Sequence, residues 1–130
     1  MAGTKGAECA CWTLMCMTLS LMNVTVDCDV QPGQVARWWA TALAARIDGD
    51  WGTAARVKLP ADGAPRLLFI QVPEPKRGKN RVHLDLLADD RDAEETRLVA
   101  LGATVVARHD ESDESWTVMR DPYGNEFCVN

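Results

Sequence analysis

Alternating and helical hydrophobic patterns follow one another along the chain from Leu21 onward. Residues 21–28 alternate in polarity and are rich in Val and Thr, which predicts a strand. Pro32-Gly33 ends this pattern, and apolar residues then recur with the spacing of one helix face. These residues are Val35, Trp38, Trp39, Ala42 and Leu43. The pattern predicts a helix whose apolar stripe, including both tryptophans, packs against a core.

Three short strands are predicted after this helix, because β-branched and apolar residues alternate between turn-forming segments. They cover residues 46–48, 54–59 and 66–72. Gly49-Asp50 and the segment 60–63 separate them as turns. Residues 22–72 therefore form one unit with the order strand, helix and three strands, a βαβββ unit.

A linker at residues 73–80, rich in proline and charge, precedes a second copy of the same order. Residues 81–87 predict a strand, and either Asp89 or Asp90 is suited to cap the helix that follows. That helix covers about residues 92–101 and stops at a glycine, and three more strands are predicted at 103–108, 116–120 and 126–129. Residues 81–130 are therefore a second βαβββ unit.

The turn before the last strand, Asp121-Pro122-Tyr123-Gly124-Asn125, suits a type I turn closed by a left-handed residue. With the paired βαβββ order and the segments 36–40, 81–86 and 97–103, the chain resembles the vicinal oxygen chelate superfamily of glyoxalase, bleomycin-resistance and dioxygenase proteins. The match is nearest to bacterial glyoxalase-like proteins. The resemblance implies an α+β fold in which the two units form a curled, cup-shaped mixed sheet with helices outside, and it implies a homodimer.

Many members of that superfamily hold a divalent metal through the first and fourth strands of each unit. The matching positions here are Asn23 or, after a shift of two residues, Thr25, then Gln71, His83, and Cys128 or Glu126. Only the His83 imidazole is a strong ligand, since the amides bind weakly and the thiol must first ionise. We therefore favour a cup without a cofactor. A metal, if bound, is expected to be zinc, nickel or manganese held by Gln71, His83 and either Cys128 or Glu126.

The same strands predict a pocket for an organic ligand. His83 is the candidate catalytic residue, because an imidazole exchanges protons near neutral pH. Trp51 and Trp116 each lie beside a loop at a strand start, where the rim of a cup is expected. The predicted pocket comprises Asn23, Gln71, Trp51, His83, Trp116, Glu126 and Cys128.

Length, net charge and cysteine spacing further restrict the class of protein and the partners that the chain can have. The chain has 130 residues, which is the usual length of a single domain. Its net charge of -5 argues against nucleic acid as a partner. Five cysteines without a CxxC pair disfavour a disulfide scaffold, and reduced thiols suggest the cytoplasm. The apolar run after Lys5 lacks a cleavage site and is too short to span a membrane. Residues 1–21 are therefore interpreted as a dispensable extension or a start assigned too far upstream.

The function that these features favour is binding of a small organic molecule in the cup without a catalytic metal, like the drug-sequestering members of the superfamily. The alternative is a metal-dependent lyase, isomerase or dioxygenase of the glyoxalase type. The chain contains no P-loop, nucleophile elbow or dinucleotide-binding GxGxxG motif. Whether the protein is an enzyme is left open by its sequence.

Overall fold

The computed structural model describes residues 19–130 and contains the predicted elements in the predicted order. The first unit comprises β1 (Asn23–Cys28), α1 (Pro32–Ala42), β2 (Arg46–Asp50), β3 (Ala54–Lys58) and β4 (Arg66–Gln71). The second unit comprises β5 (Leu84–Leu86), α2 (Arg91–Ala100), β6 (Thr104–Asp110), β7 (Ser115–Arg120) and β8 (Glu126–Val129). Residues 1–18 of the extension predicted at residues 1–21 lie outside the described residues. Within residues 19–130, neither helix is long and apolar enough to cross a membrane.

The two units build two four-stranded mixed sheets with the same internal order. The first sheet runs β1-β4-β3-β2 and the second runs β5-β8-β7-β6. In each sheet the first strand of the unit pairs parallel with the fourth, and the remaining neighbours are antiparallel. This repeated topology confirms the predicted α+β class with two βαβββ units.

Strand β5 is shorter than the sequence pattern predicted. Residues 81–87 alternate in polarity, but only Leu84–Leu86 pair with β8, opposite Phe127, Cys128 and Val129. In this parallel register His83 falls opposite Glu126, the first residue of β8, and residues 81 and 82 fall opposite the turn that precedes β8. His83 therefore lies immediately before the strand rather than inside it.

The core lies between the sheets and their helices, because the apolar residues of each strand point to one face. In the first sheet Val57, Leu67 and Phe69 are buried, and in the second Met119 and Phe127 are buried. All of them belong to one continuous apolar cluster that also includes residues of both helices. The two units thus share a single core.

Helix α1 joins the two units. Trp38 and Trp39 are buried, as predicted, and their rings lie 6.0 and 5.2 Å from the ring of Phe127. The indole nitrogen of Trp39 donates a hydrogen bond of 2.9 Å to Oδ2 of Asp121. Because Asp121 begins the turn that leads into β8, this bond fixes the last strand of the second unit against the helix of the first.

The turn between β7 and β8 has the predicted geometry. Oδ1 of Asp121 accepts hydrogen bonds of 2.9 Å from the backbone amides of Tyr123 and Asn125. Gly124 has a φ of 91°, the left-handed conformation that glycine adopts without strain. The turn therefore fixes the orientation of β8 and, with it, of the polar side chains on that strand.

Candidate functional site

Three potential ligand atoms come together where β5 begins beside β8. Asp85 lies directly opposite Cys128 in the parallel ladder, and His83 lies two residues before Asp85, just outside β5. One ligand atom from each of the three side chains lies within 4.8 Å of the other two. The Nε2 atom of His83 is 3.4 Å from Oδ1 of Asp85. We call these residues the His-Asp-Cys cluster.

The three side chains of the cluster differ in their exposure to solvent. Cys128 is 7% exposed, whereas the side chains of His83 and Asp85 are 38% and 65% exposed. Burial raises the pKa of the Cys128 thiol, and the nearby negative charge of Asp85 raises it further, while the charge of Lys79 acts in the opposite direction. The free protein therefore holds a neutral thiol beside an exposed carboxylate and imidazole.

Glu126 lies on the same face of β8 as Cys128, but its carboxylate is already paired. It accepts hydrogen bonds of 2.9 Å from the Lys76 ammonium and from the backbone amide of Asn80, and Arg120 lies 3.5 Å away. Burial alone raises the pKa of Glu126, but the Asn80 amide and the Lys76 charge outweigh burial and bring the pKa to about 2. Glu126 therefore uses its charge to hold the linker segment against the second sheet.

A cavity of about 140 Å³ lies between the two units beside His83. Its wall is largely apolar and is formed by Val24, Val26, Leu67, Phe69, Trp39 and Leu84. The polar residues that line it are Thr25, which was a predicted ligand position, and Asn80, His83, Asn125 and Glu126. An apolar chamber with a few polar groups at one edge is the usual form of a small-molecule site.

Two of the predicted pocket residues, Asn23 and Gln71, lie far from each other. In the ladder between β1 and β4, Asn23 pairs with Arg66 and Gln71 pairs with Cys28. The two pairs are five residues apart, about 16 Å along the strands, and they point to opposite faces. The Oδ1 atom of Asn23 is buried without a hydrogen-bond partner, whereas Gln71 is exposed. The structure therefore does not bring these two side chains to one site.

The two predicted rim tryptophans occupy different places, and neither lines the cavity. Trp51 lies in the loop between β2 and β3, is 58% exposed, and has the Arg56 guanidinium 5.5 Å from its ring centre. Trp116 lies on β7 and stacks on His109, with ring centres 4.7 Å apart. Since Val118 pairs with Cys128, Trp116 is the diagonal neighbour of that cysteine on the same face. Trp116 thus flanks the His-Asp-Cys cluster.

These positions decide how well the side chains fit a metal of the kind that the fold family implies. That metal takes ligands from both units, but Asn23 and Gln71 diverge and Glu126 is neutralised by Lys76. The chain therefore does not fit a metal held between its two units. The donors that do converge come from β5, from His83 immediately before it, and from β8. Asp85 was missed by the sequence analysis, although its position two residues after His83 was a usable signal.

A family model described as a glyoxalase-like domain matches residues 23–130, which is most of the chain. The chain belongs to the glyoxalase-like domain family. The predicted membership of the vicinal oxygen chelate superfamily is thereby confirmed. A search of curated proteins found no match.

Solved structures with this fold include several relatives of low sequence identity. A glyoxalase/bleomycin resistance protein/dioxygenase family enzyme from Burkholderia phytofirmans PsJN is 15% identical with a TM-score of 0.72, covering 86% of this chain and 98% of that one. A fosfomycin resistance protein from Listeria monocytogenes, complexed with Mn(II) and a dihydroxypropylphosphonic acid, is 12% identical with a TM-score of 0.70, covering 88% and 90%. A bleomycin-binding protein from Streptomyces verticillus, complexed with copper(II)-bleomycin, is 14% identical with a TM-score of 0.57, covering 86% and 97%. At these identities the similarity concerns the fold.

Proposed function

We propose that the protein binds a small organic molecule in the cavity between its units, with His83 as a polar contact and without a catalytic metal. The observation that carries this proposal is the cavity itself, about 140 Å³ in volume with an apolar wall and a polar rim. An apolar cavity of about 150 Å³ accommodates benzene. The ligand, or the part of it that enters, is therefore a ring or a compact group of that size.

The polar rim indicates what else the ligand carries. His83 is partly exposed at the edge of the cavity, and Asn80 and Asn125 lie at the same edge. An imidazole and two amides offer both donors and acceptors, so a hydroxyl or carbonyl group on the ring is expected to point toward them. The separation of Asn23 from Gln71 supports binding that needs no metal between the units.

Phenol and benzene are suitable probes, because they differ by one hydroxyl group. Calorimetric titration of the full chain is expected to show that phenol binds more tightly than benzene. His83→Ala is expected to weaken phenol binding by about 1 to 2 kcal/mol, the contribution of one hydrogen bond, and to change benzene binding little. Equal affinity of His83→Ala and the parent protein for phenol would show that His83 is not the polar contact.

Blocking the cavity tests its role separately from His83. Val26 lines the cavity, and Val26→Phe is expected to fill it and to abolish binding of both probes. Val106, an exposed valine, provides the matched control, since Val106→Phe adds the same atoms at the surface. Benzene binding that persists in a folded Val26→Phe variant would place the ligand elsewhere.

The alternative function is a metal-dependent lyase, isomerase or dioxygenase of the glyoxalase type. The observation that favours it is the convergence of His83 and Cys128, two of the positions implied by the family resemblance. This function requires turnover that depends on zinc, nickel or manganese and that is lost in His83→Ala. Turnover of this kind would replace the binding proposal.

We also propose that the protein is a cytoplasmic homodimer. Val82 and Leu87, which flank the short strand β5, are largely exposed apolar residues of the kind that association covers. The cytoplasmic assignment is supported by Cys28 and Cys128, which are both free thiols. Light scattering at micromolar concentration is expected to give the mass of two chains, and a mass of one chain would contradict the proposal.

A further inference from the structure

One side of the cavity is closed by irregular chain. Asn80, Val82 and His83 line the cavity but belong to no helix or strand, whereas the other lining residues lie on strands, on α1 or in the turn before β8. Of the lining residues in the described part of the chain, three are exposed, namely Thr25 on β1 and both Val82 and His83. The mouth of the cavity therefore lies between β1 and this irregular segment. We call residues 76–83 the strap.

The strap is hydrogen-bonded to the second sheet through one carboxylate. Oε1 of Glu126 accepts a hydrogen bond of 2.9 Å from the Lys76 ammonium, and Oε2 accepts one of 2.9 Å from the Asn80 amide. The Lys76 ammonium also donates to the carbonyl of Gly78, within the strap itself. Among the described residues, the hydrogen bonds from residues 73–82 to other side chains or strands all end on Glu126. Loss of two hydrogen bonds is therefore enough to free the strap.

We propose that the strap is a gate on the cavity, and that release of Lys76 and Asn80 from Glu126 opens the mouth to the ligand. The proposal rests on the function proposed for the cavity, and it concerns how the ligand enters. The walls formed by β1, β4 and α1 are held by ladder or helix hydrogen bonds and by packing in the core. Segments with few contacts open at a lower free energy than such elements. The strap is therefore the wall that opens first.

Opening does not leave the charge of Glu126 without a partner. The guanidinium of Arg120 lies 3.5 Å from Oε1 of Glu126, and it belongs to β7 rather than to the strap. When Lys76 leaves, Arg120 still faces the buried carboxylate, while the Lys76 ammonium and the Asn80 amide gain hydrogen bonds to water. A buried carboxylate without any partner is far more costly. Arg120 thus lowers the free energy of the open state and favours reversible release.

The strap has a fixed point beyond each end. On one side, the Val72 amide donates a hydrogen bond of 2.8 Å to the last residue of β1, and Pro73 and Pro75 restrict the backbone that follows. On the other side, Leu84 enters the ladder with β8. Movement is therefore confined to the strap, and the rest of the cavity keeps its shape while the mouth is open.

Fluorobenzene is the probe of entry, because it has nearly the size of benzene and its fluorine distinguishes free from bound ligand in exchange NMR of the full chain. Lys76→Met removes one of the two hydrogen bonds on Glu126. The association and dissociation rates are both expected to rise about tenfold, the effect of one hydrogen bond to a charged group. The dissociation constant is expected to change little, because the strap is closed in both the free and the bound protein.

Two further variants serve as controls. Lys76→Arg keeps the charge and is expected to exchange fluorobenzene at nearly the parent rates. Lys79→Met removes the same charge from an exposed side chain of the strap for which no bond to Glu126 is seen, and it is expected to leave both rates unchanged. A change in both rates that is specific to Lys76→Met is not produced by a general loss of stability.

Hydrogen exchange of the Asn80 amide measures opening without a ligand. This amide is expected to exchange faster than the amides of β8 in the parent protein, and about tenfold faster again in Lys76→Met. An Asn80 amide that exchanges only together with the core would overturn the proposal. So would fluorobenzene rates that are the same in Lys76→Met and the parent, or a rise in the dissociation rate alone. These results leave the function proposed for the cavity intact, whereas failure of the parent protein to bind fluorobenzene would contradict that function and the gate together.

Discussion

The two units share their topology but differ in the chemistry of their outward sheet faces. On the first sheet, Asp48 pairs with Arg56 at 2.8 Å and with Arg66 at 3.0 Å. The charge of this carboxylate is therefore balanced by neighbouring arginines. On the second sheet, His83, Asp85 and Cys128 converge, and among the described residues the Asp85 carboxylate has the His83 imidazole at 3.4 Å but no lysine or arginine paired with it. Both inward faces are apolar because each packs against a helix. The comparison shows that packing constrains one face of each repeat and leaves the other free to acquire a site.

The helices of the two units also differ in the interactions that stabilise them. Helix α1 has no side-chain cap at Gln31, and it buries one side against its own sheet and Phe127 of the other unit. Helix α2 buries only Glu95 and Leu98. It has the side-chain cap that α1 lacks, since Oδ1 of Asp90 accepts a hydrogen bond from the Ala93 amide at 3.0 Å. Tertiary packing thus stabilises α1, whereas capping and local ion pairs contribute more to α2.

The largest expected effect comes from breaking the contact between the units. Asp121→Ala leaves the indole N–H of Trp39 and the side chain of Asn125 buried without their shared acceptor. Urea unfolding is expected to show a loss of about 3 to 5 kcal/mol, because several buried donors lose their partner at once. Asp113→Ala, in the exposed loop between β6 and β7, is the control and is expected to have little effect. A loss below about 1 kcal/mol for Asp121→Ala would mean that the units are held together by apolar packing alone.

Acid is expected to release the linker segment from the second sheet, because Glu126 pairs with Lys76 and Asn80 of that linker. The folded protein lowers the pKa of Glu126 from 4.5 to about 2, so its charge stabilises the fold above pH 4.5 and this contribution is lost as pH falls toward 2. Glu126→Gln is expected to cost roughly 3 kcal/mol at neutral pH and to unfold with a smaller acid dependence than the parent. Glu111→Gln, at an exposed position in the loop between β6 and β7, is the control and is expected to leave the acid dependence unchanged. An unchanged acid dependence in Glu126→Gln would remove the role given to this carboxylate.

The difference between the helices can be sharpened with two adjacent aspartates. Asp90→Ala removes the side chain that accepts from the Ala93 amide and is expected to lower the free energy of unfolding by about 1 kcal/mol. Asp89→Ala changes the neighbouring exposed aspartate, which makes no cap, and is expected to lower it by less. Equal losses in thermal unfolding would argue that charge near the helix start, rather than the cap, is what matters.

The smallest effect is expected on the outward face of the first sheet. Asp48→Asn removes a partly exposed charge between two arginines, and such pairs contribute at most about 1 kcal/mol. Because Asp48, Arg56 and Arg66 are not among the residues that line the cavity, phenol affinity is not expected to change. A marked loss of phenol affinity would show that this group of ion pairs takes part in the binding site.

Sequence patterns predicted most of the fold because burial repeats along the chain with a fixed period. The bounds of β8 were predicted at 126–129 and observed at Glu126–Val129, since a turn with a distinctive sequence precedes it. The bond between Trp39 and Asp121 could not be predicted, because it joins residues that are 82 positions apart. The position of Gln71 was likewise not predictable from the sequence pattern. Its residue type suited a ligand, but only the register with Cys28 shows which face and end of the strand it occupies.

The candidate site was predictable in part for a related reason. His83 and Cys128 were predicted from the family resemblance, and both belong to the cluster. Asp85 joins them because the parallel ladder sets it opposite Cys128, and the sequence carries no record of that register. Glu126 was a candidate ligand by spacing, but its partners Lys76 and Asn80 come from the linker, whose path across the sheet has no periodic pattern.

Phenol titration of the full chain with and without EDTA distinguishes a cavity that binds through its side chains from a site that needs a metal. We expect one phenol per chain, with the same affinity in both conditions, because side chains alone form the cavity. Binding that disappears in EDTA and returns with zinc, nickel or manganese would contradict it. That result would establish a metal as part of the site.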